Sequence, residues 1–385
     1  MIYYAHGDAL ISSEELQDDP SLLGNLAAFY RDLARGQPPP PLSFESGELT
    51  SKNALTKFEF AAAGEAAEPI AFTPIGLGKP LTVMIREVYT GKFPKGGVFG
   101  GGGKDMLVTS AVKSIAAFDA KPRAHNFLQD KVAQRTRLER PPAGRQGTPF
   151  VFHSPALLER SLTMDLTIVF DSFPQQVFEQ VGDIFSTAAG IPIFQVHSVF
   201  LLAAGMLTKL IGSAGEAIFD GKPVFNSSSG IDIALAGRPP IPPGFALITP
   251  DNLGQLDKDF RKNFHVNTLG QVVDAQENPY LGDAPYIVVS LDGAPMDELA
   301  QFSPTAASAA VLSRFFGIKD GQQLPLDTVI DAIKLFNDLK FRREVDRVDD
   351  QLKALPADDP KRAALEEKRK ALLGNILEDL LKPKA

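Results

Sequence analysis

One stretch, SLTMDLTIVFD at residues 161–171, limits the fold more than any other part of the chain. Apolar and polar residues alternate along it, and the apolar members are Leu162, Met164, Leu166, Ile168 and Phe170. This period of two is that of a β-strand with one face against a core. The segments PLTVMIREVYTG, DMLVTSAVKSI and APYIVVSLDG have strand patterns as well. Several strands of this kind predict a fold that is built around a β-sheet.

Helical patterns precede and interrupt these strands. In DDPSLLGNLAAFYRDLARG, Asp19 is placed to cap a helix, Pro20 suits its first position and Gly36 is placed to end it. Two further helices are predicted within residues 172–219, and another begins at Ser303 with a proline at its first position. The chain therefore combines sheet and helix.

The C-terminal part has a heptad-like pattern. Apolar residues spaced by four and three are Phe341, Val345, Val348, Leu352 and Leu355. The sequence PADDP then breaks the pattern, and Asp359-Pro360 provides a second helix start. Two amphipathic helices with so short a break predict an antiparallel helical hairpin. The apolar residues either pack within the chain or pair with those of a second chain.

We therefore predict a β-rich α+β protein, with a mainly antiparallel sandwich or mixed sheet as its core. A chain of 385 residues is long enough for two or three units. Residues 1–41 are expected to form an N-terminal helix and a proline-rich spacer. Residues 42–320 form the core, with a helical insertion at about 172–219, and residues 321–385 form the C-terminal helical hairpin.

Composition excludes several classes of function. A net charge of −8 does not attract polyanions, so nucleic acid is an unlikely partner. The absence of cysteine excludes disulfides, thiolate metal sites and cysteine nucleophiles. The N-terminus lacks the basic start and the long apolar run of a secretory signal. A cytoplasmic location is expected, with export by a signal-independent route left open.

The glycine-rich run FPKGGVFGGGGKD does not fit a phosphate-binding loop. That motif needs glycine where Val98 stands and a hydroxyl where Asp105 stands, and the residues that follow have strand composition. We interpret the run as a mobile loop, and no nucleotide or other cofactor is expected. Its tip, with Phe93, Phe99 and Lys104, is a candidate contact surface for a protein partner or a lipid surface.

Asp105 and Asp171 each stand at the end of a predicted strand. The order PLTVMIREVYTG, KDMLVTSAV, LTIVFDSF resembles short pieces of the C2 domain, over roughly a quarter of the chain. The resemblance implies calcium held by loop carboxylates, but each loop has one aspartate where a C2 site has two or more. We do not assign the chain to that family. The two aspartates are weak calcium candidates, and the alternative is that they cap turns.

The segment KPRAHNFLQDKVAQRTRLERPPAGRQG, residues 121–147, is locally basic and includes Arg135, Arg137 and Arg140. The simpler interpretation is an exposed excursion between strands. The alternative is an electrostatic contact with an acidic protein or with anionic lipid. The segment lacks the interleaved aromatic residues that would stack on nucleic-acid bases.

No catalytic or metal-binding motif is visible. The five histidines do not have metal-ligand spacing, and no G-x-S-x-G occurs. An active site assembled from distant segments stays open, and a deep pocket joining His6, His153 or His265 to a carboxylate would favour one. Residues 184–208 carry no formal charge when their histidine is neutral, so a membrane span that inserts after a trigger is a further alternative.

These observations lead us to expect a non-enzymatic binding, scaffold or assembly subunit that acts through protein contacts, including self-association. The contact surfaces are expected in the glycine-rich loop, in the basic segment and in the hairpin, where the candidate residues are Phe341, Val345, Val348 and Leu352. The first alternative is a membrane-active or pore-forming protein that uses residues 184–208. The second is an enzyme with a dispersed active site.

Overall fold

Antiparallel strand pairs form the core of the chain in a computed structural model. The model describes residues 1–54, 72–93, 104–113, 124–139, 149–154, 156–171, 225–233, 240–253, 256, 258–296, 326–359, 361–376 and 378–382. Every strand pair in the described part is antiparallel, and the helices there are few. The protein is therefore mixed α+β with mostly antiparallel sheets, as the sequence predicted.

The elements have the following bounds. In chain order the strands are β1 (Ile2–His6), β2 (Ala9–Ser12), β3 (Leu42–Phe44), β4 (Gly47–Leu49), β5 (Leu81–Tyr89), β6 (Lys104–Lys113), β7 (Ala124–Val132), β8 (Arg137–Glu139), β9 (Phe150–Ser154), β10 (Ser161–Asp171), β11 (Phe225–Asp232), β12 (Gly244–Ile248), β13 (Phe264–Val266), β14 (Val272–Asp274) and β15 (Tyr286–Asp292). The α-helices are α1 (Ser13–Asp18), α2 (Pro20–Ala34), α3 (Lys258–Asn263), α4 (Leu326–Ala354) and α5 (Lys361–Gly374).

The larger sheet is organised around β5. Its strand order is β2-β1-β12-β15-β5, and the far edge of β5 is shared by two strands. β9 pairs with the first half of β5, from Leu81 to Met84, and β8 pairs with the second half, from Glu87 to Tyr89. All nine residues of β5 are buried. The alternating residues of β5 therefore lie on two faces that are both covered by protein. Neither face is a solvent face.

The smaller sheet contains β10, which is the alternating stretch SLTMDLTIVFD. Its order is β11-β10-β6-β7, and β10 pairs along most of its length with β6 on one side and β11 on the other. Its even-numbered apolar residues, from Leu162 to Phe170, are buried, so the predicted inward face is confirmed. β11 alternates in the same way, although Ser227 and Ser229 occupy two of its buried positions.

One cluster of buried apolar side chains draws residues from both of these sheets. It contains Ile85 and Val289 from the larger sheet and Val108, Leu166 and Phe225 from the smaller one. A second cluster belongs to the opposite face of the larger sheet, where the strands β13 and β14 and the helix α3 cover it. Both faces of the larger sheet are thus covered, which explains the complete burial of β5.

The N-terminal region contributes both strand and helix. Asp19 caps α2 through its side chain, Pro20 occupies the first turn and Gly36 follows with a φ of +72°, as predicted. The hairpin of β1 and β2 was not predicted, and β1 pairs directly with β12 in the larger sheet. The proposed division at residue 41 stays a prediction.

The basic segment is not an excursion in its described part, which corrects our simpler interpretation. β7 pairs with β6, and β8 pairs with β5. The reason is that Phe127, Leu128 and Val132 are buried between charged neighbours, so the mean polarity of the segment hides its strand pattern. The predicted helices within residues 172–219 and after Ser303 lie outside the described residues.

The C-terminal helices α4 and α5 run antiparallel, as the heptad pattern predicted. Lys368 pairs with Glu344 at 2.7 Å, and Arg362 of α5 donates to the carbonyl of Leu352 near the end of α4. Asp359 accepts a hydrogen bond from the backbone of Lys361 and so caps α5. The hairpin core includes Ala156 and Leu158 of the segment after β9, which fixes the hairpin to the β-rich part.

A buried ion pair holds β8 against β5. The Glu87 side chain is fully buried and accepts hydrogen bonds from the Arg137 guanidinium at 2.6 Å and from the Tyr286 hydroxyl at 2.6 Å. Burial raises the pKa of Glu87, and the hydrogen bonds from Tyr286 and Arg137 oppose that shift only in part. The pair is therefore held together inside the protein at a cost in desolvation.

Removing Arg137 should destabilise the fold strongly. We expect Arg137→Met to lower the free energy of unfolding by about 3 kcal/mol, because it leaves the Glu87 carboxylate buried without its cation. The double variant Arg137→Met/Glu87→Gln should recover part of that loss. Urea unfolding measures both.

The matched control is Arg135→Met. Arg135 pairs with Asp283 at the surface, where both side chains are about half exposed, so its loss should have a much smaller effect than the loss of Arg137. Equal effects of the two single substitutions would contradict the structural role of Arg137.

Candidate functional site

The predicted loop surface is only partly described. Phe93 is half-buried, and its ring lies 4.6 Å from that of Phe170. It therefore packs against the main core cluster rather than standing free. Lys104 begins β6 opposite Val132, and Phe99 lies outside the described residues. β5 before the glycine-rich run and β6 after it belong to different sheets, and residues 94–103 lie outside the described residues.

The predicted basic residues have internal partners. Arg135 donates two hydrogen bonds to Asp283, which Lys92 also contacts at 3.4 Å. Arg137 contacts Glu87, as described above, and Arg140 lies outside the described residues. The two described arginines therefore bind carboxylates of this chain, and a role in partner binding stays a prediction.

The predicted hairpin residues form the hairpin's own core. Phe341, Val345 and Val348 are at most 4% exposed and pack with residues of α5, and Leu352 is partly buried against the same cluster. The structure thus shows the intramolecular packing that was one of the two alternatives. Pairing between chains stays a prediction, and it would have to use other faces of the two helices.

The weak calcium candidates are cross-strand neighbours. Asp171 of β10 is the register partner of Asp105 of β6, and the Asp105 carboxylate accepts a hydrogen bond from the backbone of Lys131 at 3.0 Å. In the described part of the chain, three or more metal-ligating side chains do not come together. The predicted uncharged segment, residues 184–208, lies outside the described residues. Of the helices that are described, none has the length and apolar character needed to cross a bilayer.

A polar cavity of about 210 Å³ opens at the end of β1 and is the candidate site. Four chain segments and one helix form its walls. The segments are the β1–β2 turn with Gly7 and Asp8, the turn at Lys52 and Asn53, the start of β12 at Gly244, and the hairpin of β13 and β14 with His265 and Glu277. The helix is α2, which contributes Tyr30.

Turn geometry explains one side of the cavity. Gly7 is the first residue of the two-residue β1–β2 turn and has a φ of +58°, a position that favours glycine. A Cβ atom there would lie 2.3 Å from the carbonyl oxygen of Glu48 and 2.7 Å from the side chain of Asn53. Asn53 is itself fixed, because its Oδ1 accepts from the backbone of Thr50 and its Nδ2 donates to Glu48. The wall is therefore rigid.

The opposite side is a hairpin with an unusual residue. Asn267 closes the loop between β13 and β14 through two backbone hydrogen bonds to its Oδ1 and donates from Nδ2 to Glu277 at 2.9 Å. Glu277 has a φ of +61°, a conformation that costs an L-residue roughly 1–2 kcal/mol. Its carboxylate lies 3.9 Å from His265 Nε2. Glu277 thus adopts a backbone conformation that is strained for any residue other than glycine, and its carboxylate lies at the cavity.

A buried histidine lies behind Tyr30. His6 is 1% exposed, and its Nδ1 is 3.0 Å from the Tyr30 hydroxyl. No described group pairs with its Nε2. Burial lowers the pKa of His6 to about 4, so the ring is neutral at physiological pH. It supports the wall of the cavity without carrying charge.

The site combines groups that sequence reasoning did not join. His265 was among the histidines considered, but Asp8, Lys52 and Glu277 were not singled out. The signals that could have found them are turn signals: GD between two apolar runs, and the polar residues NTLGQ and DAQEN around β14. The cavity contains both His265 and Glu277, and the enzyme alternative stays a prediction.

Comparison of the chain with known protein families, with curated proteins and with solved structures found no match. The chemistry of the site therefore has to be argued from its own residues.

Acid should destabilise the protein through His6. The unfolded chain takes up a proton on this residue near pH 6.5, whereas the folded chain does so only near pH 4. The stability contributed by neutral His6 is present above pH 6.5 and is lost as the pH falls towards 4, up to about 3 kcal/mol. His6→Gln should flatten this part of the curve of unfolding free energy against pH. Tyr30→Phe, which keeps the titrating ring, should not, and identical curves for wild type and His6→Gln would refute the assignment.

Glycine should relieve the strain at Glu277. Glu277→Gly and Glu277→Ala both remove the carboxylate, but only glycine accepts the positive φ without a steric cost. We expect the glycine variant to be more stable than the alanine variant by about 1 kcal/mol in denaturant unfolding. An alanine variant as stable as the glycine variant would show that the conformation is not strained.

Proposed function

We propose that the protein is a binding or assembly subunit that acts through protein contacts, and that its partner is a second copy of the chain. The observation that carries the proposal is a group of exposed leucines on the C-terminal hairpin. Leu335 and Leu339 of α4 are 48% and 41% exposed, and Leu380 after α5 is 90% exposed. Exposed apolar side chains that cluster mark interaction surfaces more often than scattered ones do.

These leucines share one end of the hairpin. Leu335 and Leu339 are four residues apart and so lie on the same side of α4. The short helix at Asp379–Leu381 is held beside α4, because the backbone of Glu378 donates to the carboxylate of Asp338 at 2.7 Å. The short helix that carries Leu380 is therefore held against the part of α4 that contains the other two leucines. We name these three residues the leucine patch.

Charge on the hairpin favours a second copy over an acidic or a basic partner. The exposed residues of α4 beyond the patch alternate in sign, with Arg343, Asp346, Arg347, Asp350 and Lys353. A two-fold dimer places a surface against itself, and such a surface must carry both charges to be self-complementary. A mixed surface of this kind supports self-association through the hairpin.

The same proposal includes a finer view of the core. We propose that the two sheets pack face to face as a sandwich, which would give the hairpin a rigid base. The support is the single cluster that contains apolar side chains of both sheets, among them Ile85, Val289 and Leu166.

The dispersed-site enzyme is a second candidate, and the polar cavity is the observation that favours it. His265 Nε2 and the carboxylate of Glu277 lie 3.9 Å apart at its wall. That distance is longer than the hydrogen bond of about 2.6–3.2 Å that joins a general base to its partner, so bound substrate would have to draw the two groups together. An enzyme built on this cavity must first bind a small molecule there. The pore-forming alternative rests on residues 184–208 and stays a prediction.

Removal of the leucine patch should abolish self-association. We expect the wild-type chain to show a molar mass that rises with concentration in light scattering, and Leu335→Gln/Leu339→Gln/Leu380→Gln to remain monomeric up to about 100 µM. The substitutions replace exposed side chains, so the fold should be retained.

The control is Leu281→Gln, since Leu281 is 63% exposed and belongs to the loop between β14 and β15, outside the hairpin. It should associate as the wild type does. The proposal would be contradicted by a wild-type chain that stays monomeric, or by a triple variant that associates as strongly as the wild type.

A further inference from the structure

The polar cavity carries unpaired charges of both signs. Asp8 and Lys52 line it and are exposed. In the described part of the chain, no side chain forms an ion pair with either of them, and they do not pair with each other. Arg135 and Lys368 are the contrasting case, in which a surface charge has a partner within the chain. The cavity therefore offers an anion and a cation that have no ion-pair partner among the described side chains.

We propose that this cavity binds a small zwitterion, a ligand with an ammonium group and a carboxylate or similar anion. The ligand's anion would contact Lys52, and its ammonium group would contact Asp8 and the carboxylate of Glu277. The site is independent of the leucine patch, which lies on the C-terminal hairpin.

Volume limits the ligand to a small molecule. A cavity of about 210 Å³ is below the range of roughly 300–1,000 Å³ that drug-sized ligands occupy. It suits a metabolite of a few carbon atoms. A peptide or a nucleotide would extend well outside the walls.

Charge balance favours a zwitterion over an ion of one sign. An anion at Lys52 would also face the carboxylates of Asp8 and Glu277, and a cation at Asp8 would face the ammonium group of Lys52. An anion therefore meets one attraction and two repulsions, and a cation meets two attractions and one repulsion. A ligand with both charges can place each of them beside a group of opposite sign. The neutral walls add hydrogen-bonding groups, since Asn267 and Thr268 line the cavity as well.

Backbone conformation gives independent support. Glu277 holds a positive φ of +61°, which a glycine would adopt at lower cost, and its side chain nevertheless faces the cavity. Strain of this kind concentrates at functional sites. Gly7 and Gly244 both line the cavity and have positive φ values of +58° and +153°.

Calorimetry with matched probes tests the proposal on the full chain. The zwitterions are glycine, β-alanine and 4-aminobutyrate, and the singly charged analogues of the last are butyrate and butylamine. We expect at least one zwitterion to bind with a dissociation constant of about 1 mM or below. Each singly charged analogue should bind at least about tenfold more weakly.

Point variants locate the binding. Lys52→Gln and Asp8→Asn should each weaken the zwitterion at least about tenfold. Lys361→Gln and Asp358→Asn, which change exposed charges on the distant hairpin, should leave affinity unchanged. Thermal unfolding of each variant without ligand confirms that the fold is retained.

Three results would overturn the inference. They are the absence of saturable binding by all three zwitterions up to about 50 mM, equal binding of butyrate or butylamine, and undiminished affinity in both cavity variants. The leucine-patch variants should bind the zwitterion as the wild type does, so failure of the assembly proposal and failure of this one are distinguishable.

Discussion

The enclosure of β5 is the constraint on which the rest of the structure depends. Its nine residues are buried, β15 occupies one edge, and β9 and β8 divide the other. Two charged residues of this strand must then find partners inside the protein. Glu87 is held by Arg137 and Tyr286, and Arg86 donates to the Ser290 hydroxyl at 2.8 Å. A three-residue strand, β8, is thus essential to the core because it supplies a cation.

Much of this fold could be predicted from local patterns. β6, β10, α2 and the C-terminal hairpin follow signals that are complete within a few residues: an alternating run, an Asp-Pro helix start, or a heptad. The enclosure of β5 could not be predicted in this way. Its alternating sequence is compatible with a half-exposed strand, and only the strands and clusters that cover both faces decide that it is buried.

Two strands that the sequence pattern did not reveal have polar residues at buried positions. β11 buries Ser227 and Ser229, so its inward face does not appear apolar. β7 buries Asn126, which donates to the carbonyl of Phe150 on β9 at 3.0 Å. Here tertiary hydrogen bonds make polar residues acceptable inside, and a hydrophobic pattern carries no sign of them.

The candidate site shows the same limit more strongly. Asp8, Lys52 and Glu277 come from three turns that are far apart in the sequence, and each turn is explained by its own backbone geometry. Nothing in one turn indicates where the others lie. Their meeting follows from the pairing of β1 with β12 and from the position of β13 and β14 on the larger sheet, which are properties of the assembled fold.

The attachment of the C-terminal hairpin to the β-rich part has a mechanical consequence. Lys340 of α4 contacts Glu159, and the adjoining Leu157 exchanges backbone hydrogen bonds with Gly78 and Lys79, just before β5 begins. A load applied to the hairpin is therefore transmitted to the start of β5 and to the end of β9. These two strands are paired antiparallel, so that load would act on the most thoroughly enclosed part of the sheet and not on a peripheral loop.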